Sequence, residues 1–245
     1  MSVQEKAAIE NLKEVKEVLE KRGIKCWLDW GTLLGAMRGG KFIEWEHDAD
    51  LGTLADWKKV ASTVPELEKR GFEVFMEDIK LDEDFFERRL YLQRSGAIVD
   101  ITTYEVKEDC AARIMIESTS RSSQILKVLY HTLESQKIYS EASKGRFFVG
   151  SVRRVLLVLP SSVKKRLARV VWRAWRNGKI RYFLVRVPKE YFAKLRVIDF
   201  YGMKINVPAD AEGYLEYKYG NDWKKPKKDW NWQKEDGTVQ EVLTK

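Results

Sequence analysis

A chain of 245 residues that is 44% hydrophobic, with nine Trp and only five Pro, can bury a sizeable core; this excludes a disordered chain and fits one large domain or a core domain with an appendage. Two cysteines, Cys26 and Cys110, are too few for a disulfide framework and lie in no CxxC or Cys/His cluster, so neither a disulfide scaffold nor a zinc module is expected. The net charge of +8 is local: residues 142–189 hold 14 Lys and Arg and no acid, leaving 31 basic against 37 acidic residues elsewhere, and a local patch implies a local partner.

In chain order, Ala8, Leu12, Val15 and Leu19 recur at helical spacing ahead of Gly23, which predicts an amphipathic helix over 4–20. "IKCWLDW" predicts a strand. "TLLGAMR" predicts a short helix capped by Thr32 and released by Gly39 and Gly40, and "HDADLGT" a second strand. Trp57, Val60, Val64 and Leu67 predict a helix over 55–70, with Pro65 placed to split it. "FFERRLYLQ" and "AIVDITTYEV", either side of Arg94, Ser95 and Gly96, predict an antiparallel hairpin.

Residues 123–140 read as a helix. Over 162–176, Val163, Leu167, Val170, Val171, Ala174 and Trp175 line one side of a helix whose other side is Lys164, Lys165, Arg166, Arg169, Arg173 and Arg176. The tail holds a strand, "MKINVP", a helix, "DAEGYLEYKYG", and a Trp- and Lys-rich end. The expected class is α+β or α/β, in three regions: a catalytic core over 1–141, a mainly helical basic insertion over 142–189, and a C-terminal element over 190–245 that packs back on the core. No apolar run approaches the roughly 20 residues of a membrane-spanning helix, and the charged N-terminus lacks the core of a secretory signal, so the expected location is the cytoplasm.

The chemistry concentrates in "WLDWGTLLGAMRGGKFIEWEHDADLGT". On a strand, Asp48 and Asp50 project to the same side, about 7 Å apart, close enough to share a metal centre. Mg²⁺ (or Mn²⁺) is the expected cofactor, because it takes hard oxygen ligands from one or two carboxylates and substrate phosphates. Asp100, among Ile98, Val99 and Ile101, is an acid whose burial needs compensation: it is either a third carboxylate converging on the same cation or a buried, hydrogen-bonded structural acid. Gly31 and Thr32 at a helix start offer amides and a hydroxyl to a phosphate, and Arg38 can clamp a phosphoryl oxygen. Together these are the parts for metal-assisted phosphoryl transfer.

The stretch "GTLLGAMRGGKFIEWEHDADLG" resembles the signature of the LicD and fukutin family, a branch of the nucleotidyltransferase superfamily. "VDITTY" is similar to that family's third-acid strand, and "VPADAEGYLEYKYGNDWKKP" to its C-terminal element. The resemblance implies a nucleotidyltransferase-like core, a mixed β-sheet flanked by helices. It also implies transfer of a phospho-alcohol, such as phosphocholine or a polyol phosphate, from a CDP-alcohol donor to a glycan or lipid-linked glycan hydroxyl of a cell-surface polysaccharide, with release of CMP. On that resemblance Asp48, Asp50 and Asp100 are catalytic metal ligands, with Asp100 positioning or deprotonating the acceptor hydroxyl; Gly31, Thr32, Gly35 and Arg38 contact the donor phosphates. Asp29, Glu46, His47, Arg88, Arg89, Tyr219 and Trp223 are candidate substrate contacts. Many family members have an unbroken acidic run before the second aspartate, whereas here Glu46, His47 and Ala49 surround the pair.

Two further enzyme and non-enzyme readings stand beside this one: nucleotidyl transfer that passes on the NMP half and releases pyrophosphate, and a non-catalytic basic module. His47 faces away from the aspartates by strand alternation, and His131 reads as structural. One of Arg88 and Arg89 faces the site, which one depending on register. Tyr219, Trp223, Trp230 and Trp232 can stack a nucleobase or sugar, or cover the core. The basic helix can lie on an anionic membrane, bind nucleic acid, the less favoured partner, or pack its apolar side on the core.

Overall fold

The computed structural model describes residues 1–46, 48–80, 86–134, 156 and 158–242. The N-terminal helix α1 (Val3–Lys21) begins at a capping box in which Ser2 and Glu5 satisfy each other's backbone amides. It ends where Gly23 takes a φ of 63°. Its buried side is Ala8, Leu12, Val15 and Leu19, as the spacing predicts, with Ala7, Asn11 and Val18 added.

Strand β1 (Cys26–Leu28), helix α2 (Trp30–Gly39) and strand β2 (Asp48–Thr53) follow. The predicted helix over 55–70 is two short ones, α3 (Trp57–Ala61) and α4 (Val64–Lys69), with Pro65 in the first turn of the second, where its missing N–H costs nothing. Next come β3 (Glu73–Lys80), β4 (Phe86–Arg94) and β5 (Ala97–Thr103). The hairpin between β4 and β5 turns on Ser95 and Gly96, both at positive φ (53° and 79°), the two-residue turn whose twist matches the strands it joins. Asn11 of α1 fastens that turn by donating to the carbonyls of Arg94 (2.8 Å) and Ala97 (3.2 Å).

These strands make a mixed sheet in the order β1-β2-β5-β4-β3, in which only β2 and β5 run parallel. Its two faces differ in chemistry. Ala49, Leu51, Leu90, Leu92, Val99 and Ile101 point to one face and are buried with the apolar side of α1. The register places Asp48, Asp50, Asp100, Tyr91, Arg89 and Glu87 on the other.

A second sheet, antiparallel throughout, has the order β11-β8-β7-β6, from β6 (Glu105–Lys107), β7 (Cys110–Ser118), β8 (Ile180–Pro188) and β11 (Val239–Val242). Helices α5 (Arg121–Leu133) and α6 (Ser161–Arg176) pack beside it, around Ile114, Ile116, Trp175, Ile180 and Tyr182. The remaining elements are α7 (Glu190–Ala193), the hairpin β9 (Leu195–Phe200) and β10 (Met203–Pro208), α8 (Ala211–Tyr219) and α9 (Trp232–Glu235).

The α+β class with a mixed sheet flanked by helices is as expected, whereas the basic stretch is not simply helical. Its described part is α6 followed by β8, an inner strand of the second sheet: Ile180, Tyr182, Val185 and Val187 are buried, while Arg181 and Arg186 point outward. Residues 142–155 and 157, and the last part of the helix predicted over 123–140, lie outside the described residues. Among those described, no helix is long and apolar enough to cross a membrane. Both cysteines are free thiols and buried.

Candidate active site

Helix α2 starts earlier than predicted. Its cap is Asp29 rather than Thr32: the Asp29 carboxylate accepts from the Trp30 amide (2.9 Å) and from the hydroxyls of Tyr104 and Tyr214 (2.8 Å each). Asp29, expected among substrate contacts, is fully buried and anchors α2 to Tyr104, just past the end of β5, and to α8. Trp30, next to it, sits at φ 44°, a left-handed conformation that costs a side-chain-bearing residue about 1–3 kcal/mol and is held only where the surroundings fix it. Here the indole N–H donates to Tyr104 (3.1 Å), and the Lys218 ammonium lies 3.3 Å from the ring centroid. Lys218 in turn is buried against Asp236 (2.6 Å).

Thr32 also differs from expectation. It is 1% exposed, too deep to meet a donor phosphate; its hydroxyl accepts from the Asp50 amide (2.8 Å) and lies 3.4 Å from Asp50 Oδ2. Its work is to fix the acidic strand against α2. Gly35 is likewise packed away from the cavity, where a Cβ would come 2.5 Å from the Lys41 carbonyl. Gly31 does face the cavity, and a Cβ there would lie 1.9 Å from Glu46 Oε2, so the glycine is what lets Glu46 approach the start of α2.

Asp50 and Asp100 are direct register partners across β2 and β5, with Asp48 two residues back on the same face. Burial, with Asp48, Asp100, Glu46 and Asp29 close by, pushes the Asp50 carboxyl well above the usual carboxylate range. Burial first and Asp48 second raise Glu46 to about 7. The expected convergence of three acids on one cation is only partly present. Asp48, Asp50 and Glu46 line the cavity, but Asp100 is 4% exposed and its carboxylate is ion-paired with Arg89. Among the described residues no cluster of three or more His, Cys, Asp or Glu is already arranged as a metal cage. The donor set that remains is hard carboxylate oxygen with a surplus of negative charge, and this fits Mg²⁺ or Mn²⁺.

The register also separates the two arginines. Arg89 shares the face of Asp100 and stacks on Tyr91, 4.6 Å from the ring centroid. Arg88 points to the opposite face, paired with Asp78 (3.2 Å) and Glu105. His131 is buried beside Trp175, in keeping with a structural part, and His47 lies outside the described residues.

The cavity, about 770 Å³, is walled on one side of the chain by α2 and β2 and closed by α8 and the loop 220–231. Tyr219 and Trp223 line it, and burial, with Asp236, Asp50 and Glu46 nearby, raises the Tyr219 hydroxyl well above its ordinary range. Arg38 lines it too, but its guanidinium donates to the carbonyls of Trp223 and Lys225 (2.9 Å for the latter), so it ties the loop to α2. Sequence reasoning missed Trp30, at the start of α2, Trp45, in the segment before β2, and Lys225, Lys227 and Lys228 of that loop, all of which line the cavity. The only signal for the three lysines was the Trp- and Lys-rich composition of the tail.

Comparison with known proteins gives this geometry a context. Residues 23–137 match the family model described as LicD/FKTN/FKRP, nucleotidyltransferase domain. The ribitol 5-phosphate transferase FKRP of Mus musculus is 47% identical over 47 residues, 19% of this chain and 10% of that protein, and the Homo sapiens protein matches equally. An uncharacterised protein of Rickettsia prowazekii (strain Madrid E) is 36% identical over 67 residues, 27% of this chain and 25% of its own length. The alignments thus span a quarter or less of these relatives. Among solved structures, the antibiotic-resistance factor ANT(2'')-Ia aligns at a TM-score of 0.32 and 12% identity over 69% of this chain and 93% of that one, a likeness that carries no argument.

Proposed function

Residues 23–137 belong to the LicD/FKTN/FKRP nucleotidyltransferase domain family, and from that premise we propose that the protein transfers a phospho-alcohol from a CDP-alcohol donor to a glycan hydroxyl, in the cytoplasm. One observation carries the reading: a single cavity is lined both by Glu46, Asp48 and Asp50 and by Arg38, Lys225, Lys227 and Lys228. A diphosphate needs cationic groups around its oxygens, and a cavity that also concentrates carboxylates is suited to a diphosphate bound together with a divalent ion. The FKRP match, to a ribitol 5-phosphate transferase, agrees with a polyol phosphate as the group moved.

In this reading Lys225, Lys227 and Lys228 hold the donor's phosphoryl charge, and the first-turn amides of α2 at Gly31 add an anion site. Tyr219 and Trp230, with ring centroids 4.6 Å apart, and Trp45 give flat surfaces for the nucleobase or sugar. Asp48 and Asp50 would hold Mg²⁺, which supplies charge neutralisation at the phosphoryl oxygens when bound. Asp100 of the neighbouring strand β5, ion-paired with Arg89, backs Asp50 from its register position and would reach the cation only on release from Arg89. The acceptor hydroxyl oxygen forms a bond to the phosphorus that carries the alcohol, the bond from that phosphorus to the bridging oxygen breaks, and CMP leaves. The hydroxyl proton passes to the carboxylate set or to solvent.

The test is product analysis by ³¹P NMR with CDP-choline, CDP-ribitol or CDP-glycerol and Mg²⁺. CMP release that Asp48→Asn and Asp50→Asn abolish supports the reading. Pyrophosphate release from a nucleoside triphosphate, with no turnover or binding of any CDP-alcohol, overturns it.

A further inference from the structure

Helix α6 uses only part of its apolar surface to hold itself in place. Its inward side is Ala168 and Trp175, both buried, together with the half-buried Val171 and Trp172. Trp172 and Trp175 lie 5.2 Å and 5.9 Å from the Tyr130 ring of α5, and the Trp175 indole donates to Ser118 (3.1 Å). Both tryptophans of the helix are therefore turned into the protein.

At 100° per residue, Val163, Leu167, Val170 and Ala174 fall on a separate stripe, roughly a third of a turn from the packed side. Val163 is 39% exposed, Leu167 38% and Val170 62%; Val158, just before the helix, is 81% exposed. The stripe runs along most of the helix, about 16 Å at 1.5 Å per residue. On the side away from the packed face it is bordered by Arg166, Arg169 and Arg173, all exposed.

We propose that this face of α6 docks the protein on an anionic lipid bilayer, with the stripe at the level of the acyl boundary and the arginines on the headgroup phosphates. Charge and apolar exposure together select this occupant. A nucleic acid would use the arginines and leave the aliphatic stripe in water. A second copy of the same helix would bring like charges together. An anionic bilayer satisfies both at once, because an interfacial helix binds through buried apolar area and through attraction of its basic flank. The proposal does not depend on the identity of the group transferred at the cavity.

The experiment is flotation of the 245-residue chain with phosphatidylcholine vesicles, with and without phosphatidylglycerol, beside the surface variant Leu167→Gln/Val170→Gln and the charge variant Arg166→Gln/Arg169→Gln/Arg173→Gln. Circular dichroism and thermal unfolding of each variant should match wild type, because all five positions are exposed. The proposal predicts flotation only with the anionic vesicles and loss of binding on the order of tenfold or more in each variant. No flotation at moderate salt, flotation equal on neutral vesicles, or binding that the aliphatic variant leaves unchanged would overturn it. So would tighter binding to duplex DNA than to anionic vesicles in the same buffer.

Discussion

The Arg89 guanidinium grips the Asp100 carboxylate through two nitrogens, with Nε 3.3 Å from Oδ1 and Nη2 on Oδ2, on the sheet face that also carries Asp48 and Asp50. Removing one member of a largely buried ion pair leaves the other uncompensated, at a cost of about 3–5 kcal/mol. Arg89→Gln should therefore lower the unfolding temperature in EDTA. Because Asp100 is then an acid without its counter-charge, Mg²⁺ should stabilise the variant more than it stabilises wild type. An equal Mg²⁺ response in both, read by thermal unfolding, would show that arginine and cation do not share this carboxylate.

Glu46 gives a pH prediction. Its carboxyl has a pKa of about 7 in the folded protein against an ordinary value of 4.5, so the native state binds that proton more tightly than the unfolded chain. Its ionisation thus costs the fold nothing below about 4.5, progressively more between about 4.5 and 7, and the full amount above. Glu46→Gln in EDTA should gain about 1–2 kcal/mol over wild type at pH 8, allowing for partial exposure, and nothing near pH 4.5. Urea unfolding at the two pH values measures the difference. Asp50→Asn should move in the same direction while abolishing transfer.

Thr32 is assigned to the strand rather than to the donor. Thr32→Val leaves the Asp50 amide without its acceptor at 2.8 Å and should destabilise by about 1–3 kcal/mol. Thr32→Ser keeps the oxygen and should restore most of it. If Thr32→Val instead leaves stability intact and weakens donor binding, the hydroxyl is a ligand contact.

The loop lysines are tested by affinity. Lys227→Ala and Lys228→Ala each remove a charged donor from the cavity and should weaken CDP-alcohol binding by roughly tenfold or more, with kcat changed less. Calorimetric titration separates this from a folding defect, since both lysines are at the surface.

Much of the fold could be read from local chemistry: the α1 stripe, the Ser95–Gly96 turn and the Pro65 break each rest on spacing or backbone preference within a few residues. What escaped depends on partners far along the chain. Strand β3 carries Glu77 on its buried face, where Lys127 of α5 neutralises it at 2.8 Å, so its apolar pattern is interrupted. Strand β8 buries Ile180 and Tyr182 on one face and Phe183, Val185 and Val187 on the other, so it shows no single alternation, and its arginines merge with the basic run before it. At the site, Asp48 and Asp50 sharing a face follows from strand alternation, and Asp100 beside Asp50 follows once β2 and β5 pair. The role of Arg89 needed the register of β4, and the lysine loop needed the tertiary tie from Arg38 to the carbonyl of Lys225 (2.9 Å).

The central claim, that this acidic and basic cavity holds an activated phospho-alcohol with a divalent ion, is met most directly by titrating CDP-ribitol and CDP-choline into the protein by calorimetry, in Mg²⁺ and in EDTA. The account predicts binding of at least one of them in Mg²⁺, loss of that binding in EDTA, and loss in Asp50→Asn under both conditions. No binding of any CDP-alcohol in Mg²⁺, or binding unaltered by EDTA and by Asp50→Asn, would contradict it.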